Sequence, residues 1–331
     1  MDLSTRYLGL ELRNPLVASP SPLNFEVANI RRLEDAGAAA VVLPSMFEEQ
    51  IEREMHEVER LIASGANMSE ASSFFPVIAS AYAGTQRYLR LIRSARDAVD
   101  IPVIASLNGA TQGGWVEYAR LVEDAGASAI ELNIYLLPTE TSLDGREVEA
   151  RTLEILRCVK RAVSIPVAVK LAPYFSSIGS MARTLAGEGA DGLVLFNRFY
   201  QPDIDLSRMR LQRDLDLSTR HEIRLPLLWI GVLAGRVNAS LAASTGVETS
   251  DEVVKYLLAG ADAVMTTSAL LRHGIGHMRT LIDGLAAWLA ARGIGSVSAL
   301  RGRMSHRSVR DPLAFERANY MEILRSSGGG L

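Results

Sequence analysis

The chain has 331 residues, 48% of them hydrophobic, and a formal net charge of −3. That is enough apolar material for a large core, and the slight acidity excludes the broad basic surface that nucleic acid or an anionic membrane demands. The single cysteine, Cys158, excludes a disulfide framework, a multi-cysteine metal site and an iron–sulfur cluster.

The opening Met1-Asp-Leu-Ser has no basic segment followed by an apolar run, and no apolar stretch approaches the ~18 residues needed to cross a bilayer. These features predict a soluble, cytoplasmic protein. Tyr7-Leu-Gly-Leu-Glu-Leu-Arg-Asn-Pro15 then reads as a small hairpin that closes the bottom of a larger fold. Apolar runs follow at residues 16–19, 41–45, 103–108, 130–135, 167–171, 193–197, 241–245 and 264–268. Four of them are introduced by a helix end and a glycine, which places Gly37, Gly126, Gly189 and Gly260 in the left-handed position past a helix. Pro102 and Pro166 sit at strand starts, where a missing N–H is tolerated. Strands that are apolar throughout and alternate with helices imply a parallel sheet covered on both faces. Eight such units predict one closed α/β barrel domain, a (β/α)8 TIM barrel over residues 1–331.

Two insertions interrupt the pattern, at residues 47–76 and 201–224. The first opens on an acidic run from Glu48 to Glu59, and the second mixes Asp203, Asp205, Asp214 and Asp216 with Arg208, Arg210, Arg213 and Arg220. Both fall at the C-terminal face of the barrel, as lid, partner surface or solvated charged face. A tail from about residue 296 is expected to pack against the barrel, with a helix over 313–324. Cys158 lies in a helical run and is expected as a small buried hydrophobe, and Trp115 and Trp229 as packing residues. None of the histidines stands in metal-ligand spacing with carboxylates, so no metal site is predicted. His221, His273 and His277 take surface or helix-cap roles, and His56 and Tyr82 reach the barrel mouth only if the first insertion folds over it.

Polar residues at strand ends carry the chemistry, because packing does not call for them. They are Ala18-Ser-Pro-Ser21, Asn108, Glu131-Leu-Asn133, Val169-Lys-Leu171 and Phe196-Asn197. Lys170, flanked by Val169 and Leu171, is costly to bury alone. It needs either a carboxylate, which Glu131 on the adjacent strand can supply, or an anionic ligand. The last two strands end in Ser244-Thr-Gly-Val-Glu-Thr249 and Met265-Thr-Thr-Ser268, rich in hydroxyls and free of bulk, and a helix opens at Ser250. Exposed amides and a helix N-terminus there suit a phosphate, at the place where barrels of this kind build one.

In order and spacing, Asn14-Pro-Leu-Val-Ala-Ser, Glu131-Leu-Asn, Val169-Lys-Leu-Ala-Pro-Tyr-Phe175, Ser244-Thr-Gly-Val-Glu-Thr249 and Leu258-Ala-Gly-Ala-Asp-Ala-Val-Met-Thr-Thr-Ser-Ala-Leu270 make this chain resemble the class 1 dihydroorotate dehydrogenases, a family of FMN-dependent barrels. The resemblance implies FMN as cofactor, its phosphate held by Thr245, Gly246, Thr267 and Ser268, with Ser218 and Thr219 adding contacts. It implies that Ala18 and Ser19 pass under the flavin ring with Ser45 alongside. Asn108, Asn133 and Asn197 bond the ring edges or the substrate, and Lys170 faces the N1/C2-carbonyl edge, where reduction places negative charge. By the same analogy the protein is a homodimer acting on a small cyclic or conjugated substrate.

The departures fall on the substrate side. Leu136 stands where the family carries its cysteine or serine base, Pro138 where an asparagine grips orotate, and Pro44 where a lysine is usual. The family's substrate-loop asparagines have no counterpart near Ser72-Ser-Phe-Phe-Pro76. A leucine accepts no proton, which leaves Lys170, Asn133 and Tyr135 as the catalytic candidates, Tyr135 being the nearest acid. Two other readings stand beside an FMN oxidoreductase. One is a lyase or isomerase of a phosphorylated substrate, with Lys170 forming a Schiff base or stabilising an enolate. The other is a flavin-holding subunit whose charged insertions dock a soluble redox partner.

Overall fold

A computed structural model describes residues 1–47, 83–108, 112–134, 136–199, 201–212 and 216–316. The expectations for Tyr135, His56, Tyr82, almost all of the first insertion, Arg213, Asp214 and the tail beyond Glu316 therefore lie outside the described residues.

Eight parallel strands close on themselves, in the order β3 (Leu16–Ala18), β4 (Ala40–Val42), β6 (Val103–Asn108), β7 (Ala129–Asn133), β8 (Val167–Leu171), β9 (Gly192–Leu195), β12 (Ser240–Ala243) and β13 (Ala263–Thr266). The pairing of Val264 with Leu16 closes the ring. A two-residue strand, β5 (Met46–Phe47), follows β4 and pairs with the upper end of β6. This is the predicted (β/α)8 barrel, and its helices pack outside. The four glycines assigned to helix ends all have positive φ. Several strands stop two residues earlier than the apolar runs suggest.

Side chains alternate between two cores. Val17, Val42, Ile104, Ala129, Ala168, Val194, Ala242 and Met265 fill the barrel interior, while Leu16, Val41, Val103, Ile130 and Val169 face the helices. Alanine is frequent inside because the hairpin occupies that space. Strands β1 (Thr5–Tyr7) and β2 (Leu10–Leu12) pair antiparallel, and Tyr7 and Leu8 enter the base of the barrel fully buried. Leu8 N–H donates to Ser240 Oγ (3.2 Å) and Thr5 Oγ1 to Asp262 O (2.8 Å), so the plug meets the N-terminal ends of β12 and β13. Gly192 makes room for it: a Cβ there would lie 2.4 Å from Leu8 Cδ2. Asp2 bonds in turn to Gly295 and Val297, which fixes the start of the chain at the same end. The hairpin shuts the barrel below.

Helix α4 (Gly145–Ala162) corrects one expectation. Cys158 is half-buried, not buried, because the inward stripe is Thr152, Ile155, Leu156 and Val159 and position 158 falls at its edge. Trp115 is buried and Trp229 packs against the helix-facing core, as expected. In the second insertion, β10 (Asp203–Asp205) and β11 (Arg210–Gln212) form a projecting hairpin. One of its faces exposes Ile204, Leu206, Met209 and Leu211. Among the described residues no helix is long and apolar enough to cross a membrane.

Candidate active site

Alternation along β7 and β8 turns Glu131, Asn133 and Lys170 inward at the open end of the barrel, above the interior alanines. Glu131 is 1% exposed and Lys170 9%. Lys170 Nζ lies 3.4 Å from Glu131 Oε1, the partner the sequence offered it. Glu131 Oε2 has no hydrogen-bond partner among the described residues. A polar chain runs round the mouth from this pair: Asn197 donates to Asn133 Oδ1, Asn133 Nδ2 donates to Ser45 Oγ (3.3 Å), and Ser45 Oγ bonds Ser106 Oγ (2.8 Å).

The ladder between β4 and β6 carries Leu43 N–H to Ile104 O (2.9 Å) and resumes only at Met46, so the backbone of Ser106 is left for another partner. Tyr88, from helix α2 (Ala83–Ala98), is that partner: its hydroxyl accepts from Ser106 N (3.0 Å) and donates to Ser106 O (3.1 Å). Burial pushes the ionisation of Tyr88 well up, with the charge on Glu131 adding to the effect, so it stays a donor. Tyr88 escaped the sequence reading because nothing in the pattern of its helix marks which side chain reaches the backbone of the strand that follows.

The other half of the site is a hydroxyl and amide cradle at the ends of β12 and β13. Thr245 and Gly246 adopt φ of 80° and 75°. For a β-branched threonine that is a strained conformation, worth about 1–3 kcal/mol. It is held by Tyr256, whose buried hydroxyl donates to Thr245 O (2.8 Å) and Ser244 O (3.2 Å), and by Thr266 Oγ1 bonded to Val247 O (3.1 Å). Thr267 Oγ1 donates to Ser19 O (2.8 Å), tying the last strand to the first. Ser218 joins the two loops: its hydroxyl bonds Ser268 Oγ (2.9 Å) and accepts from Gly246 N (3.3 Å). Arg272 fixes Ser218 in place by donating to Leu217 O and Ser218 O (2.8 Å each) while paired with Glu248. His273 bonds the same carboxylate and His277 the Glu248 carbonyl, so both brace this loop. The helix expected from Ser250, α7 (Ser250–Ala259), opens on Thr249 with a reciprocal Thr249–Glu252 capping box.

A cleft of about 140 Å³ joins the two halves. Ser19, Lys170, Asn197, Thr245, Gly246, Thr267 and Ser268, all expected at the site, line it together with Ser218. Ser45 and Asn133 stand beside it in the polar chain, and Asn108 is buried at the end of β6 opposite Phe47. The Ala18 side chain belongs instead to the helix-facing core. Arg198 and Phe196 line the cleft too and were not singled out from the sequence. The described lining carries two cations, Lys170 and Arg198, and no carboxylate. A larger cleft, about 1420 Å³, lies at the base, but its arginines are engaged: Arg6 with Glu11, Arg301 with Asp262, Arg307 with Gly235 O.

The family model for dihydroorotate dehydrogenase matches residues 3–289. The chain belongs to the dihydroorotate dehydrogenase family. A protein of Aeropyrum pernix described as a putative dihydroorotate dehydrogenase A (fumarate) is 26% identical over 93% of this chain and 98% of its own length. The catalytic subunit of a dihydroorotate dehydrogenase B (NAD(+)) from Endomicrobium trichonymphae is 24% identical, covering 91% of this chain and 96% of its own. The PreA subunit of an NAD-dependent dihydropyrimidine dehydrogenase of Escherichia coli K12 is 23% identical, with 91% and 76% covered. This dihydroorotate dehydrogenase-like chain is thus an oxidoreductase by family.

Proposed function

We propose that this chain binds FMN in the cleft and moves a hydride between it and a small cyclic or conjugated substrate. The observation that carries the reading is the strained hydroxyl and amide cradle at one end of the cleft, with the Lys170 ammonium in the same lining. Such a donor set fits a phosphate monoester, and the ammonium fits the electron-rich edge of a flavin. Bound FMN would supply the two-electron acceptor that no side chain here provides.

The roles of the chain's own residues follow. Thr245, Gly246, Thr267, Ser268 and Ser218 hold the phosphate, Ser19 and Asn197 flank the ring, and Lys170 opposes negative charge that reduction creates. Asn133 and Ser45 orient one another beside it. Leu136 is half-buried and offers no base, so a substrate that must lose a proton has to find another group, and dihydroorotate turnover through that position is not expected. Two of the relatives are named as subunits, which favours a partner protein as the electron acceptor.

The test is the visible spectrum of the purified protein and mass spectrometry of any released chromophore, followed by a screen of reductants and acceptors. A stoichiometric flavin mononucleotide is expected. A colourless protein that takes up no FMN on titration overturns the reading in favour of phosphorylated-substrate chemistry.

Arg272 gives a second check. Arg272→Ala frees the Leu217 and Ser218 carbonyls and is expected to weaken FMN binding about tenfold, the size of one charge-assisted network. Quenching of flavin fluorescence measures it, and wild-type affinity would remove Ser218 from the cradle.

A further inference from the structure

Glu131 is a carboxylate sealed inside the barrel, and among the described residues its one ion pair is with the ammonium of Lys170 at 3.4 Å. Its second oxygen is without a hydrogen-bond partner among the described residues. Its register neighbours are Ser106 on β6 and Ala168 on β8, neither of which bears charge. The other titratable groups that face it are two buried phenols, Tyr7 from the base plug and Tyr88 from α2, whose ionisation rises chiefly from burial and further from the Glu131 charge. Arg198, at the cleft, is engaged with Glu222. Glu131 is not among the described residues that line the cleft, whereas Lys170 is. It acts through Lys170.

Resting on the flavin reading above, we infer that Glu131 is the counter-charge that sets how strongly Lys170 favours negative charge in the cleft. With the carboxylate present, the pair adds no net charge behind the cleft. Without it, a whole positive charge remains there, in surroundings that screen it poorly. Glu131 is therefore a positioning and tuning residue, and one charge deeper in the barrel governs the electron affinity at its mouth.

Two measurements test this, one of them without any flavin. In thermal unfolding of the apo full-length protein, Glu131→Gln is expected to lower the melting temperature, and Glu131→Gln with Lys170→Met to regain most of the loss, because no charge is then left alone. Independent, additive losses would overturn the pairing. In the FMN-loaded protein, Glu131→Gln is expected to raise the equilibrium ratio of reduced to oxidised flavin about tenfold, a shift of about 30 mV for a two-electron couple, while Glu131→Asp keeps the wild-type potential. An unchanged or lowered potential in Glu131→Gln would reduce the pair to packing and overturn the tuning role. If the wild-type protein binds no FMN yet the unfolding cycle shows coupling, the flavin reading and the tuning fall and the charge pairing stands.

Discussion

Replacing Lys170 by methionine is expected to produce the largest single effect in this protein. Methionine preserves the length and apolar stem but leaves the Glu131 carboxylate, 1% exposed, without its cation. Breaking a buried pair from one side costs about 3–5 kcal/mol, so the apo-protein should melt several degrees lower. The second consequence is functional. The cleft loses one of the two cations of its described lining, so FMN should bind more weakly and the rate of its anaerobic reduction should fall. A variant with unchanged melting temperature, FMN affinity and reduction rate would show that the ammonium serves neither the barrel nor the cleft.

Gly246→Ala is expected to rank second, and its effect should fall on ligand binding more than on folding. Gly246 has a φ of 75°, and an added Cβ would stand 2.9 Å from Thr219 O and 3.0 Å from Ile223 N, both backbone atoms. They can yield only if the segment from Ser218 to Ile223 moves, and that motion breaks the Gly246 N–H bond to Ser218 Oγ. The phosphate cradle would open. FMN affinity is expected to fall about 100-fold, equivalent to about 2.8 kcal/mol. Gly274→Ala separates the two causes, since Gly274 has a φ of 83° with nothing within 4 Å of an added Cβ. That control carries the backbone strain alone, and it should leave FMN binding near wild type. Equal losses in the two variants would refute the steric argument.

The barrel was legible in the sequence because its signals are local. Each strand is a short apolar run, four of them follow a helix end and a glycine, and Pro102 and Pro166 mark two other strand starts. The Lys170–Glu131 pair was legible as well, since adjacent strands bring the two onto one face as diagonal neighbours, Glu131 opposite Ala168 and Lys170 opposite Asn133. What escaped were single side-chain contacts to backbone. Tyr88 bonds Ser106 from the helix just before β6, and Arg272 braces Ser218 across 54 residues. No periodicity announces either contact. Cys158 was misplaced for a different reason: a helical pattern gives the direction of the buried stripe only to within a position, and one step turns a core residue into an edge residue. The departures at Leu136, Pro138 and Pro44 are visible in sequence alone, and nothing in the structure adds an account of them.

The sealed base has a practical corollary. Because Asp2 is stitched to Gly295 and Val297 beside the hairpin that fills the lower end, the amino terminus and the mouth point in opposite directions. A fluorophore, affinity handle or sensor-chip tether joined ahead of Met1 would leave the ligand entrance unobstructed. Titrations on protein immobilised that way should reproduce those made free in solution.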